Sequence, residues 1–327
     1  MKTFFLFVAL LFLTQKTSAQ YSPYQRVDSL IGTYTQKVKN RDDLRKLWYF
    51  IYQNIYTDSL RLRAAVVWIA NNIAYDVKSW QNENVEAGQL EYVLRHKKAV
   101  CGGYASLLKE LCDMFKIECE VVVGRARAFE RDVYLQQSKL SDNHAWNMVK
   151  INDQWRLIDP TWVSGSVSGD ADDPKARFIQ DFNETYYFTP PEKFILNHFP
   201  RQSRHQLLSP AINEKIFRTS PLYLESFLQT HVAVVAPVEA LIKAAVGDTI
   251  VFQFKTSNLS LEMMAWSPTQ KKAEYKGESV VRIDTVEFSY PVTATGFYNL
   301  FVGQVKGMRG EALLAYKLQI EPRRSAQ

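Results

Sequence analysis

The spacing of apolar residues changes character along this chain, and that change restricts its possible folds more than any single residue does. From Ser22 to Asp76, stretches such as Leu44 to Ile51 and Ala64 to Ile69 repeat apolar residues at three and four positions. That is the period of one buried helix face. A further helix is predicted from Cys101, with Tyr104, Leu107, Leu108, Leu111, Cys112 and Phe115 on one stripe. The period then shortens. Ile117 to Gly124 alternates and is rich in Val, and His144 to Ile151 and Gln154 to Ile158 read as two more strands around an Asn152-Asp153 turn. Beyond about residue 215 come short β-branched or aromatic runs: Ala233 to Val235, Thr249 to Phe254, Val280 to Val286 and Tyr298 to Val302. Their Gly and polar breaks suit a β-sandwich. The expectation is an α+β domain over residues 20–212, a sandwich over 213–322 and a tail at 323–327, dividing near Pro210.

The first nineteen residues are read apart from the fold. Lys2, an apolar run from Phe4 to Leu13 and then Thr17-Ser18-Ala19 follow the order of a secretory signal peptide. Cleavage is expected after Ala19, with a mature chain from Gln20 that is exported to a periplasm or secreted. The run is too short for a stable membrane span, no Cys follows the site to carry a lipid, and nothing downstream approaches 18 uninterrupted apolar residues. No membrane anchor is therefore expected after cleavage.

Charge narrows the partners. The net charge is +6, and removing Lys2 and Lys16 leaves +4 (6 − 2). Lysines and arginines are scattered among acids rather than clustered in a recognisable module, so no nucleic-acid partner is expected.

Three cysteines, an odd number, leave one thiol to explain. Cys112 and Cys119 each sit on the apolar face of their element, which favours packing, with a disulfide between them as the alternative. Cys101 is placed differently, at the mouth of an amphipathic helix and ahead of Gly102-Gly103. A helix N-terminus presents unpaired N–H groups and partial positive charge. Both favour the thiolate, the nucleophilic form, and the same N–H groups can serve an oxyanion. The glycines are expected to leave room for a substrate backbone.

A thiol nucleophile needs a base. With a two-residue turn at Asn152-Asp153, Trp146 lies opposite Asp159, and His144 is the diagonal neighbour of Asp159 on the same face, with Cβ atoms roughly 7 Å apart or less. The carboxylate then holds one imidazole nitrogen and leaves the other for the thiol. The plainer readings are a structural His on a strand and an Asp that opens a turn before Pro160. His96, in the basic run Arg95 to Lys98, is read as solvated, and no comparably placed carboxylate accompanies His198, His205 or His231. Metal-ligand spacings and phosphate-binding glycine motifs are missing from the sequence, so neither metal nor cofactor is expected.

Three blocks in order, Ala99-Val100-Cys101-Gly102-Gly103-Tyr104-Ala105, Asn143-His144-Ala145-Trp146-Asn147 and Leu157-Ile158-Asp159-Pro160-Thr161-Trp162, resemble the transglutaminase-like superfamily. Ile73-Ala74-Tyr75-Asp76 is similar to its segment before the catalytic helix. Tyr186 to Pro190, Phe194-Ile195 and His198 to Leu208 are similar to the kyphoscoliosis-peptidase and cytokinesis-protein group, whose members often carry an immunoglobulin-like region. The resemblance implies a papain-like α+β fold, with Cys101 attacking a carboxamide, His144 carrying the proton and Asp159 orienting His144. Water as acceptor gives hydrolysis and an amine gives a crosslink.

The chain departs from papain-like relatives in having no Gln in the stretch Arg95 to Val100, so the second oxyanion donor is unassigned. Trp80 and Gln81 are candidates, each also readable as an ordinary loop or surface residue. Trp146 and Trp162 are read either as walls of a substrate channel or as core, and the segment Ser164 to Asp173 either as a cover for the site or as a solvated connection. Three functions follow: an exported cysteine hydrolase acting on peptide or protein amides, with cell-envelope substrates among the candidates; a transglutaminase; and a binding or scaffolding protein whose contacts run through the C-terminal domain.

Overall fold

A computed structural model describes residues 23–134, 141–169, 172–257, 262–268, 275–276, 279–282, 284–306 and 309–323. The expected leader, residues 1–19, and residues 324–327 of the tail lie outside them.

The chain opens with three helices, α1 (Pro23–Gly32), α2 (Arg41–Asn54) and α3 (Asp58–Asn72). Asn40 and Thr57 cap α2 and α3 by accepting the Asp43 and Leu60 N–H groups, which would otherwise lack partners. In α3 the one-faced pattern fails: Leu62 through Ala70 are all buried, so the helix is enclosed rather than laid on a surface. Arg63 lies in that buried stretch and is stacked near the rings of Tyr24, Phe182 and Tyr187. Its guanidinium is bonded to Asp28 at 2.9 and 2.6 Å and to Glu184 at 2.7 and 2.6 Å. Burial of that charge is tolerated because two carboxylates meet it.

Next come β1 (Ala74–Tyr75), α4 (Val77–Gln81), α5 (Leu90–His96), β2 (Lys98–Ala99) and α6 (Cys101–Phe115). β1 and β2 pair in parallel, Tyr75 opposite Ala99, which brings Tyr75 beside the start of α6. The stripe expected on α6 is buried, Cys112 included. Gly103 is a packing requirement: a Cβ there would stand 2.6 Å from the Ala87 carbonyl oxygen, 2.7 Å from Val93 and 2.9 Å from Ala99. Room for substrate is therefore not what Gly103 provides, whereas at Gly102 a Cβ would meet only the Gly88 Cα at 3.8 Å.

α6 lies against a five-stranded antiparallel sheet, ordered β8-β5-β4-β3-β9, formed by β3 (Cys119–Ala126), β4 (His144–Ile151), β5 (Gln154–Ile158), β8 (Tyr187–Thr189) and β9 (His198–Pro200). The β4–β5 register runs from Ile151 opposite Gln154 to Asn147 opposite Ile158, as expected. Asn152 and Asp153 both take positive φ, 50° and 60°, the turn geometry that matches strand twist. The ladder ends one pair early because Asp159 leaves the strand to cap α7 (Pro160–Val163). A small hairpin follows, β6 (Gly165–Val167) with β7 (Phe178–Gln180), and α8 (Pro191–Phe194) precedes β9.

After α9 (Glu214–Thr219), β10 (Leu222–Tyr223) and α10 (Glu225–Leu228), the chain builds the immunoglobulin-like sandwich expected from the sequence. One sheet holds β11 (Ala233–Ala236), β13 (Thr249–Lys255), β16 (Ser279–Arg282) and β17 (Thr285–Pro291). The other holds β10, β12 (Leu241–Ala245), β14 (Met263–Trp266), β15 (Tyr275–Lys276), β18 (Gly296–Lys306) and β19 (Arg309–Glu321). Phe252, Phe254 and Phe288 of the first sheet meet Leu300, Val302 and Tyr316 of the second in one core. The run Val280 to Val286 is two strands, not one, since β16 and β17 pair with each other across it.

Arg127 joins the two parts. It is 1 % exposed, and its guanidinium donates to the Asp132 and Val133 carbonyls on one side and to the Phe217 and Ser220 carbonyls on the other. Burial lowers its pKa to about 10, and Asp132 opposes that shift.

Gly103→Ala is expected to destabilise the protein by about 1–3 kcal/mol through overpacking against backbone. Gly102→Ala should stay within about 0.5 kcal/mol. Urea unfolding of the two variants beside the parent checks both, and equal effects would show that the Gly103 contact is not limiting.

Candidate active site

The site is assembled from the mouth of α6, the first residue of β4 and the residue that ends β5. Asp159 is fully buried. Its Oδ1 accepts the N–H groups of Thr161 at 2.9 Å and Trp162 at 3.1 Å, which is why β5 gives way to a helical turn there. Its Oδ2 meets His144 Nε2 at 2.6 Å and His198 Nε2 at 3.1 Å. Nε2 of His144 is committed to the carboxylate, which leaves Nδ1 free, and His144 and Cys101 are near enough to shift each other's ionisation. The Ala145 N–H also favours the charged form of that thiol. His144 and Asp159 are thus brought together and shielded, and Cys101, partly exposed, starts the helix near them.

Electrostatics separate the two histidines. Burial disfavours a charged His144, but Asp159 and the Cys101 thiolate outweigh it and raise its pKa to about 10. For Cys101 burial likewise opposes ionisation, yet the hydrogen bond and charge of His144 hold the thiol below its ordinary value. Asp159 is pushed by burial towards protonation and pulled well below the usual carboxylate range by His144 and His198. His198 falls to about 4 because burial exceeds the help it receives from Asp159. The directions of these shifts favour a thiolate–imidazolium pair beside a neutral imidazole.

His198 corrects the expectation that it lacks a carboxylate: it shares Asp159 with His144. Its ring stacks on Phe194 with centroids 4.1 Å apart, and its Nδ1 lies 2.7 Å from the Asn197 side chain. His205 has a carboxylate as well, Glu120 at 3.2 Å. Neither signal was readable locally, because the partners are 39 and 85 residues away. Tyr75 was missed as a site residue too. Burial is the main cause of its raised pKa, and the Cys101 charge adds to it, so the hydroxyl stays protonated beside the thiol.

Among the described residues, His144, Asp159 and His198 form the one cluster with donor atoms close enough to hold a metal ion, within 4.8 Å of one another. The sequence spacing did not suggest it. Those donor atoms are already at hydrogen-bonding distance from each other, so an ion would have to displace both imidazole–carboxylate contacts.

A cleft of about 510 Å³ opens at this point, lined in part by Tyr75, Trp80, His144, Thr161 and Trp162. The candidates therefore divide. Trp162 is a wall, with its ring 5.4 Å from that of His144, whereas Trp146 is wholly buried in the core. Trp80 faces the cleft, while the Gln81 side chain is engaged with the Asp173 carbonyl at 2.9 Å. Gly165 to Val167 and Gly169 form a side of the cleft, so this segment, whose residues 170–171 lie outside the described ones, borders the site rather than merely connecting strands.

Residues 45–160 match the family model described as the transglutaminase-like superfamily. The chain is 30% identical over 242 residues to kyphoscoliosis peptidase of Mus musculus, covering 74% of this chain and 35% of that one. It is 24% identical over 161 residues to cytokinesis protein 3 of Schizosaccharomyces pombe, covering 49% and 17%. These are the group the sequence blocks resembled, and the chain spans about a third or less of the length of these relatives. A crystal structure titled as a TGase shares 20% identity at a TM-score of 0.29, covering 45% of this chain and 35% of that one.

Because folding raises the His144 pKa, its contribution to stability is complete below about pH 6.5 and is lost as pH climbs through about 10. NMR titration should find His144 still protonated well above pH 6.5 and His198 neutral down to near pH 4. Alkylation of Cys101 should have its pH midpoint below the ordinary thiol value, and His144→Ala should move it upward, burial then being opposed only by the Ala145 N–H. An unmoved midpoint would show that His144 does not control the thiol.

Proposed function

We propose that this chain, which carries a transglutaminase-like domain over residues 45–160, is an exported cysteine hydrolase that cleaves carboxamide bonds in peptides or proteins through a thioester on Cys101. What supports the reading is that Asp159 takes Nε2 of His144 at 2.6 Å, which leaves Nδ1 available to a thiol whose ionisation His144 favours.

The Cys101 thiolate attacks the carbonyl carbon, and its sulfur forms the new bond as the carbonyl electrons move to oxygen. His144, as imidazolium, gives its proton to the departing nitrogen, the C–N bond breaks, and an acyl-thioester remains. Neutral His144 then takes a proton from water, hydroxide attacks the thioester, and Cys101 leaves as thiolate with the imidazolium restored. Asp159 holds the ring and its charge throughout. Gly103 and Tyr104 N–H groups bond the Val100 carbonyl, so those of Cys101 and Gly102 lie ahead of the first helical bond, where they can meet the oxyanion. We assign the second donor to the hydroxyl of Tyr75, a residue that lines the cleft, feels the Cys101 charge and stays protonated.

The cleft at His144, the base that would activate water, supports water as acceptor. The leader-like residues 1–19 support action in a periplasm or outside the cell, where envelope proteins are the substrates we favour.

Casein serves as a test substrate, with released ammonia, new peptide termini and uptake of a fluorescent alkylamine followed together. Cys101→Ala should abolish all activity and the acyl adduct seen by intact mass. His144→Ala should lower it by about 10²-fold or more, and Tyr75→Phe by about 10². Amine uptake faster than hydrolysis would replace this reading with a transglutaminase. Activity that survives Cys101→Ala would remove Cys101 from the mechanism, and a Tyr75→Phe enzyme as fast as the parent would withdraw the oxyanion assignment.

A further inference from the structure

The cleft beside His144 is not a property of the transglutaminase-like domain alone. His144 and Trp162 line it, and so do Tyr223, Leu224, Glu225 and Ser226, from the beginning of the sandwich. This wall is anchored on both sides. The Leu224 N–H donates to Leu313 of β19 at 3.0 Å, and β10 pairs with the same strand. Arg127 holds the segment just before it through the Phe217 and Ser220 carbonyls, and Lys193 donates to Thr230 at 3.0 Å just beyond it.

What the cleft offers a ligand is mainly ring surface, from Trp80, Phe129, Trp162, Phe178 and Tyr223. Its charged groups are engaged already. Arg127 is saturated by carbonyl oxygens, Arg131 is paired with Asp172 and lies over Phe129 at 4.5 Å, and Glu225 is exposed. An ionised substrate side chain entering the interior would lose water and meet no free counter-charge, since the charge of His144 is already balanced by Asp159. The volume, about 510 Å³, falls within the range of ligand pockets, roughly 300–1,000 Å³.

Resting on the cysteine-hydrolase reading, we propose that the cleft takes a peptide with a bulky aromatic or aliphatic side chain flanking the reacting carboxamide, and that the sandwich supplies the wall that selects it. The sandwich is then part of the catalytic unit and not an appended contact module.

The test uses the full chain and four peptidyl chloromethyl ketones that differ only at the residue next to the reactive carbonyl: Phe, Leu, Gly and Asp. Iodoacetamide, too small to span the cleft, is the reference, and labelling of Cys101 is read by peptide mass. The Phe and Leu probes should label Cys101 at least tenfold faster than the Gly and Asp probes. In Tyr223→Ala the Phe-probe rate, taken as a ratio to the iodoacetamide rate, should fall at least fivefold. Glu225→Trp, which adds ring surface at an exposed position and leaves the core untouched, should change the Phe-to-Gly ratio if the wall meets the probe. Equal rates for all four probes, with Cys101 still alkylated by iodoacetamide, would overturn this proposal and leave the thiol site standing. Preference for Phe that neither wall variant alters would overturn the role of the sandwich. A Cys101 that iodoacetamide labels no faster than Cys112 would sink the underlying reading together with this one.

Discussion

A single buried carboxylate organises the site. Asp159 receives two backbone N–H groups from α7 on one oxygen and two imidazoles on the other, and none of it reaches solvent. A buried anion is tolerated only when its acceptor capacity is met by well-placed donors, and here four donors meet it. Together they constrain three elements: the turn into α7, which supplies two of the donors, the start of β4 and the start of β9. Losing the carboxylate would leave the imidazolium form of His144 without its counter-charge and return Cys101 to the behaviour of a half-buried thiol.

The surrounding packing serves that arrangement. α6 must approach the Ala87 backbone closely enough to bring Cys101 to His144, and only a residue without Cβ permits this at position 103. α3, enclosed on every side, packs against α6 and α7, so the helix bearing the thiol and the turn that bonds the carboxylate share one rigid neighbour. Arg63 and Arg127 then tie remote segments to this core. Each is a buried cation held by oxygen atoms, the first by two carboxylates and the second mainly by backbone carbonyls. Arg127 in particular fixes where the sandwich begins relative to the cleft.

The His144–Asp159 geometry was legible because it is short-range. A two-residue turn sets the register, and register sets which side chains share a face. The helix at Cys101 was legible from its stripe, and the sandwich from its short β-branched runs. The enclosed character of α3 was not, since periodicity reports the preference of a segment and not how many neighbours surround it. Splitting the run Val280 to Val286 into two strands likewise needed the turn between them.

What the sequence by itself determined is therefore the local chemistry: a thiol at a helix mouth, a base and a carboxylate across one hairpin, and an α+β domain followed by a sandwich. Tertiary structure alone decided that His198 shares Asp159, that Tyr75 stands beside the thiol, that Trp162 lines the cleft while Trp146 fills the core, and that the sandwich closes part of the cleft. Each of these depends on segments far apart in the chain meeting through burial and hydrogen bonding. Residue spacing carries no record of such meetings until the packing is complete.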